Sequence, residues 1–131
     1  MMRDGKFVID FDMKRVSPAL LWTFISTANG LAEWFADEVE VEGKVFIFHW
    51  EKMCQRAKLM AFRTGLYVKF RWEDSEVQTS YFEMRILSSE ITGSRTLQIT
   101  DYAEDEEEKR SMIEIWENQV DDLRRALGCS K

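Results

Sequence analysis

The C-terminal part of the sequence carries a long apolar stripe, and this stripe limits the possible folds more than any other feature. Apolar residues recur there at steps of three and four positions: Ile113, Trp116, Val120, Leu123 and Leu127. This spacing predicts one amphipathic helix from about Asp105 to Leu127, with Gly128 as its C-cap glycine. At 1.5 Å per residue such a helix is about 30 Å long, so it can cross a whole sheet.

The segments before this helix alternate between apolar and polar residues, a pattern typical of antiparallel strands with one buried face. The predicted strands are Lys6–Asp12, Glu38–Glu42, Val45–Trp50, Gln55–Phe62, Leu66–Trp72, Thr79–Leu87 and Arg95–Asp101. A sheet with one apolar face needs a cover, and the C-terminal helix is long enough to supply it. We therefore expect an α+β fold in which a curved antiparallel sheet of about six to seven strands wraps around that helix.

Two short helices are expected between the first and second strands. Ser17 is a suitable N-cap, and Pro18 suits the first helical position because its missing N–H costs no hydrogen bond there. Asn29-Gly30 is expected to break the chain and to cap a second short helix. The inward residues of that helix would be Leu31, Trp34 and Phe35. Together the two helices would close one end of the sheet.

Length and charge limit the class of protein. A chain of 131 residues fits a single domain over residues 1–131. Its formal net charge of −6 repels phosphate backbones and anionic lipids, so we expect no nucleic-acid partner and no membrane surface. No run approaches the roughly 18 apolar residues of a membrane span, so no membrane insertion is expected.

The two cysteines, Cys54 and Cys129, lie far apart and match no metal-binding spacing. Neither a metal site nor a structural disulfide is therefore expected, and no cofactor is indicated. The N-terminus shows no apolar run typical of a signal peptide. These features predict a reducing, cytoplasmic location.

Several short motifs occur in a familiar order along the chain. They are Ser17-Pro18 with Leu21-Trp22, Gly30-Leu31 before Glu33-Trp34-Phe35, Gly43 before Val45–Trp50, Leu66–Trp72, Thr79-Ser80, Thr96–Thr100 and Trp116. In this order the chain resembles the START-like (SRPBCC, helix-grip) superfamily, in the branch related to the C-terminal domain of the heat-shock-chaperone ATPase activator. The chain departs from the pattern at Glu51-Lys52-Met53-Cys54, where relatives often have a glycine, so we expect a different pocket mouth.

The resemblance implies a cavity between sheet and helix, used in such families for lipids, sterols, polyketides or other apolar molecules. The main hypothesis is therefore non-catalytic binding of a small apolar ligand. The candidate lining residues are Trp34, Phe48, Trp50, Phe70, Trp72, Phe82, Met84, Met112, Trp116 and Gln119. The alternative interpretation of the same aromatic set is a packed core, because large rings can fill such a space.

Two other functions stay open at this point. The resemblance also implies a protein-interaction module, or a cyclase- or dehydratase-like enzyme. For an enzyme, the candidate polar groups are His49, Glu33 and Gln119, but none has an identifiable catalytic partner, so no catalytic residue is assigned. Cys54 is more readily explained as an inert thiol than as a nucleophile.

The acidic run Glu104–Glu108 has two explanations. It could dock a basic protein partner, or it could compensate the dipole at the start of the long helix, which we favour. The sequence leaves both a monomer and a homodimer open, since the edge strands of a curved sheet often need protection.

Overall fold

The computed structural model describes residues 5–73 and 81–128. In these ranges the elements are β1 Lys6–Asp12, α1 Pro18–Ser26, α2 Ala28–Leu31, β2 Glu38–Glu42, β3 Val45–Trp50, β4 Met53–Arg63, β5 Tyr67–Trp72, β6 Phe82–Ser88, β7 Arg95–Tyr102 and α3 Glu106–Ala126. The predicted order of one strand, two short helices, a series of strands and one long helix is confirmed.

The described strands form one antiparallel sheet in the order β1-β7-β6-β5-β4-β3-β2. Strands β2 to β7 follow one another as a meander, because each pairs with the next strand in sequence. Strand β1 joins the far edge, where Lys6 lies opposite Tyr102 and Asp12 opposite Thr96. The register of β4 shifts between Leu59 and Ala61, and such a bulge bends a strand. The sheet is therefore curved, as predicted.

Helix α3 packs its apolar stripe into the hollow of this sheet. Trp116, Val120 and Leu123 are buried in the same hydrophobic cluster as Leu97 and Ile99 of β7. The helix begins after its N-cap Asp105 and ends at Ala126, with Leu127 as its C-cap, and Gly128 follows with a φ of +73°. That positive φ suits glycine and ends the helix. The expected arrangement of a curved sheet around a long C-terminal helix is confirmed.

Helix α1 begins as predicted, whereas the start of α2 differs from the prediction. The Ser17 hydroxyl accepts a hydrogen bond from Leu20 N at 3.2 Å, and Pro18 occupies the first turn. Helix α2 has Thr27 as its N-cap, so Asn29 and Gly30 lie inside the helix rather than before it. The Thr27 hydroxyl accepts a hydrogen bond from Gly30 N at 2.9 Å, and Gly30 itself lies directly against the backbone of α1.

Two strands begin more than one residue away from their predicted starts, and the other strand boundaries agree to within one residue. Strand β4 begins at Met53 instead of Gln55, because a two-residue turn brings Met53 opposite Trp50. Strand β6 begins at Phe82, and the predicted start at Thr79 lies outside the described residues. Phe82 and Met84, which alternation places on one face of this strand, are both buried.

Candidate functional site

A pocket of about 490 Å³ lies between α3 and the inner face of the sheet. Its aromatic wall consists of Phe35, Trp50, Trp72 and Trp116. Three flexible or branched aliphatic side chains add to the apolar surface: Met53, Met112 and Ile115. The polar lining residues among those described are Gln55, Asp101 and Gln119. Met53 and Ile115 are 52% and 57% exposed, so they mark the mouth of the pocket.

Asp101 places one carboxylate in this largely apolar wall. The residue is 8% exposed and lies on β7, two positions after the buried Ile99. Its Oδ2 accepts a hydrogen bond from the indole Nε1 of Trp116 at 2.9 Å, and its Oδ1 accepts one from Tyr102 N at 2.8 Å. The carboxylate thus ties the last strand to the long helix.

Burial raises the pKa of Asp101 from its usual 3.8 to about 6. Removal from water penalises the ionised form, and the negative charge of Glu108 adds to this effect. The hydrogen bonds from Trp116 and Tyr102 favour the ionised form and oppose the shift. The net result is a carboxyl group that changes charge close to neutral pH.

Asp101 also gives a testable pH dependence of stability. A raised pKa means that the folded state binds the proton more tightly than the unfolded state. The contribution of Asp101 is therefore fully present below about pH 4 and is lost as the pH rises through about 6. From about pH 4 to pH 8, the wild-type free energy of unfolding should fall by on the order of 2–3 kcal/mol relative to Asp101→Asn. Urea unfolding of both proteins across this pH range measures the difference between their free energies of unfolding. A difference that does not change with pH would contradict the prediction.

Asp101 was not among the predicted site residues, although the sequence contains a signal for it. In a strand, every second side chain lies on the same face. Leu97 and Ile99 are the apolar positions of the predicted strand Arg95–Asp101, so alternation places Asp101 on the same face as these two residues. An acidic residue at that position interrupts the apolar pattern and indicates a buried carboxyl group.

A second pocket of about 370 Å³ adjoins the first along α3. The two pockets share four lining residues: Phe35, Trp50, Ile115 and Gln119. At their boundary the carbonyl oxygen of Phe35 accepts from Trp50 Nε1 at 3.0 Å and from Gln119 Nε2 at 2.9 Å. These hydrogen bonds join the segment after α2 to β3 and α3, and they fix the wall between the pockets.

The structure divides the predicted lining residues into three groups. Five of them border the 490 Å³ pocket: Trp50, Trp72, Met112, Trp116 and Gln119. Trp34 borders the second pocket, and its indole Nε1 donates to Phe24 O at 2.8 Å. The other four are at most 1% exposed and fill the core: Phe48, Phe70, Phe82 and Met84. For these four residues the packed-core interpretation describes the structure.

The three candidate catalytic groups do not meet in the pocket. His49 alternates with the inward Phe48, and its Nε2 lies 3.1 Å from Glu40 Oε1 on the other face of the sheet. The amide of Gln119 borders the pocket but donates its N–H to the Phe35 carbonyl. Glu33 is exposed at the second pocket. The geometry therefore assembles no acid–base pair from these residues.

The acidic run caps helix α3. Asp105 Oδ1 accepts from Glu108 N at 2.8 Å, and Glu108 Oε1 accepts from Glu104 N at 2.6 Å. The first bond satisfies a backbone N–H group that the helix start leaves without a partner, and the second joins the residue before the N-cap to the first turn. Glu106, Glu107 and Glu108 lie in the first turn of α3, where acidic side chains have a favourable interaction with the helix dipole.

Other chemistry-bearing groups are sparse in residues 5–73 and 81–128. No group of three or more His, Cys, Asp or Glu side chains is arranged there to hold a metal ion. Cys54 is a free, exposed thiol, whereas Cys129 lies outside the described residues. In the same ranges, no helix is both long enough and apolar enough to cross a membrane.

A curved antiparallel sheet that holds a long C-terminal helix, with a pocket between them, defines the helix-grip class of proteins. The chain belongs to the START-like superfamily, whose domain model matches residues 1–129. The sequence motifs predicted membership of this superfamily, and the domain match confirms that prediction.

Three solved structures illustrate the relationship. A Bacteroides fragilis protein solved by NMR in solution is 34% identical, with a TM-score of 0.69, and the match covers 95% of this chain and 92% of that one. The Aha1 dimer from Colwellia psychrerythraea is 13% identical, with a TM-score of 0.78 and coverage of 93% and 95%. DynU16, from the dynemicin biosynthetic locus, is 14% identical, with a TM-score of 0.76 and coverage of 95% and 48%. No curated protein matches the chain.

Proposed function

We propose that the chain binds a small, largely apolar molecule in the pocket between the sheet and α3, without transforming it. The observation that carries this proposal is the wall formed by Phe35, Trp50, Trp72 and Trp116 around a space of about 490 Å³. Small-molecule sites typically measure about 300–1,000 Å³ and are mostly apolar with a few polar groups. The pocket has both the size and the composition of such a site.

The mouth of the pocket supports the same proposal. Met53 and Ile115 expose more than half of their surface there, although both border the pocket. A ligand that covers these side chains gains roughly 25 cal/mol for each Å² of apolar surface removed from water. An apolar ligand therefore has a physical reason to occupy this space.

Binding without catalysis is favoured by the placement of the polar groups. His49 pairs with Glu40 on the other face of the sheet, and the Gln119 N–H is held by the Phe35 carbonyl. Asp101, the acid in the pocket, accepts two N–H groups and has no neighbouring base among the described residues. The site is thus better suited to holding a molecule than to moving its protons.

The proposal is tested with the neutral, polarity-sensitive dye prodan and with the substitution Ile115→Gln at the pocket mouth. We expect saturable binding to the wild type, with one dye per chain. Ile115→Gln should weaken binding about five- to tenfold because it removes apolar contact at the mouth. Dye fluorescence measures the affinity, and mass spectrometry of extracts from purified protein seeks a co-purified molecule.

Ile91→Gln is the matched control, since Ile91 is 95% exposed and does not border the pocket. It should bind prodan as the wild type does. Absence of saturable binding, or equal weakening by both substitutions, would contradict a ligand site in this pocket.

A further inference from the structure

The Asp101 carboxylate is buried and hydrogen-bonded, and it forms no ion pair with any of the described residues. Within residues 5–73 and 81–128, the ion pairs join other acids to Lys, Arg or His, and none includes Asp101. Buried carboxylates are usually paired with a cation, because an unpaired charge away from water is costly. A positively charged group placed beside Asp101 would therefore stabilise its ionised form.

The carboxylate also has free acceptor capacity on the side of the pocket. An ionised carboxylate offers about four acceptor positions. Within the described part of the chain, two are used, by Trp116 Nε1 and by Tyr102 N. Since Asp101 borders the pocket, a ligand group placed there can reach the remaining positions.

The rest of the pocket favours a cation over an anion or a neutral group. Its described lining contains no Lys, Arg or His, and its other polar residues are the neutral Gln55 and Gln119. The faces of the aromatic rings that surround the space attract cations, tryptophan most strongly. The chain as a whole carries a net charge of −6, which further favours a positively charged ligand.

We propose that the pocket takes an apolar amine, bound in its protonated form with its ammonium group donating to Asp101 and its hydrocarbon part between Trp50, Trp72 and Trp116. This inference rests on the proposed function, because it names the chemical class of the ligand for the same pocket. The ammonium supplies the missing positive partner of the carboxylate. The aromatic wall then holds the apolar body.

The test compares 4-phenylbutylamine, 4-phenylbutan-1-ol and 4-phenylbutyrate, which share one carbon skeleton and differ in charge. At about pH 8 both Asp101 and the amine are ionised. We expect the amine to bind about tenfold or more tightly than the alcohol, and the carboxylate to bind most weakly. Tryptophan fluorescence gives the affinities, and the NMR signal of the Trp116 indole N–H reports whether the amine lies beside Asp101.

Asp101→Asn should remove the preference, with the amine weakened about tenfold and the alcohol changed less than about threefold. Asp37→Asn is the matched control, because Asp37 is an exposed acid that borders only the second of the two pockets. It should retain the preference for the amine. The comparison of the three ligands on the wild type needs no variant, so it decides the question even if Asp101→Asn folds poorly.

The outcomes separate the two proposals. Equal binding of amine and alcohol to the wild type, or an amine preference that survives in Asp101→Asn, overturns the amine and leaves the apolar site standing. If none of the three compounds binds and prodan also fails to bind, both proposals are overturned.

Discussion

Replacement of Gly30 by alanine is expected to lower the free energy of unfolding by roughly 3 kcal/mol, the upper end of the usual range for overpacking. A Cβ atom at this position would lie 2.2 Å from the carbonyl oxygen of Thr23 and 2.6 Å from the Cα of Phe24, both backbone atoms of α1. Helix propensity alone predicts the opposite sign, since alanine is about 1 kcal/mol more favourable than glycine inside a helix. Urea unfolding of the wild type and of Gly30→Ala distinguishes the two expectations.

Gly43→Ala is the control for this experiment. Gly43 has a φ of +63°, and no heavy atom of the described residues lies within 4 Å of a Cβ built there. That substitution should cost about 1–2 kcal/mol, from backbone conformation alone. If Gly30→Ala left stability unchanged or raised it, close packing of α2 on α1 would not be the reason for the glycine.

At Gly30, helix propensity and packing predict opposite effects of the same substitution. This contrast shows which parts of the fold can be predicted from local sequence patterns. Residues of α3 and of the strands repeat with a fixed period, so the type and order of these elements follow from the sequence. Asn29-Gly30 was interpreted as a break because glycine is a poor helix residue. Its actual role depends on contact with α1, and a local pattern contains no information about that contact.

The site was predicted in part for a similar reason. Alternation places Phe48 and Trp50 on the same face of β3, but it does not tell how deeply each is covered. Phe48 is fully buried among the rings of Phe35, Phe46 and Phe70, whereas Trp50 borders the pocket. Asp101 could have been predicted from alternation on β7, whereas its hydrogen bond to Trp116 depends on how α3 crosses the sheet.

Phe35→Ala is expected to lower the free energy of unfolding by about 3–5 kcal/mol, the usual range for removing a buried phenylalanine ring. The ring is 4% exposed, and its centroid lies 4.9 Å from that of Phe48 and 5.7 Å from those of Phe82 and Trp116. Because Phe35 borders both pockets, truncation should also join them into one larger space. Urea unfolding measures the loss of stability, and prodan titration reports the change of the site.

Phe62→Ala is the matched control for the removal of the ring. Phe62 is 57% exposed, so the same substitution there should cost about 1 kcal/mol or less. The backbone carbonyl of residue 35 remains in the Phe35→Ala variant, so Trp50 and Gln119 keep their acceptor and the loss reports the ring alone. A loss no larger than that of Phe62→Ala would mean that the Phe35 ring adds little to the packing of the core, contrary to its burial among Phe48, Phe82 and Trp116.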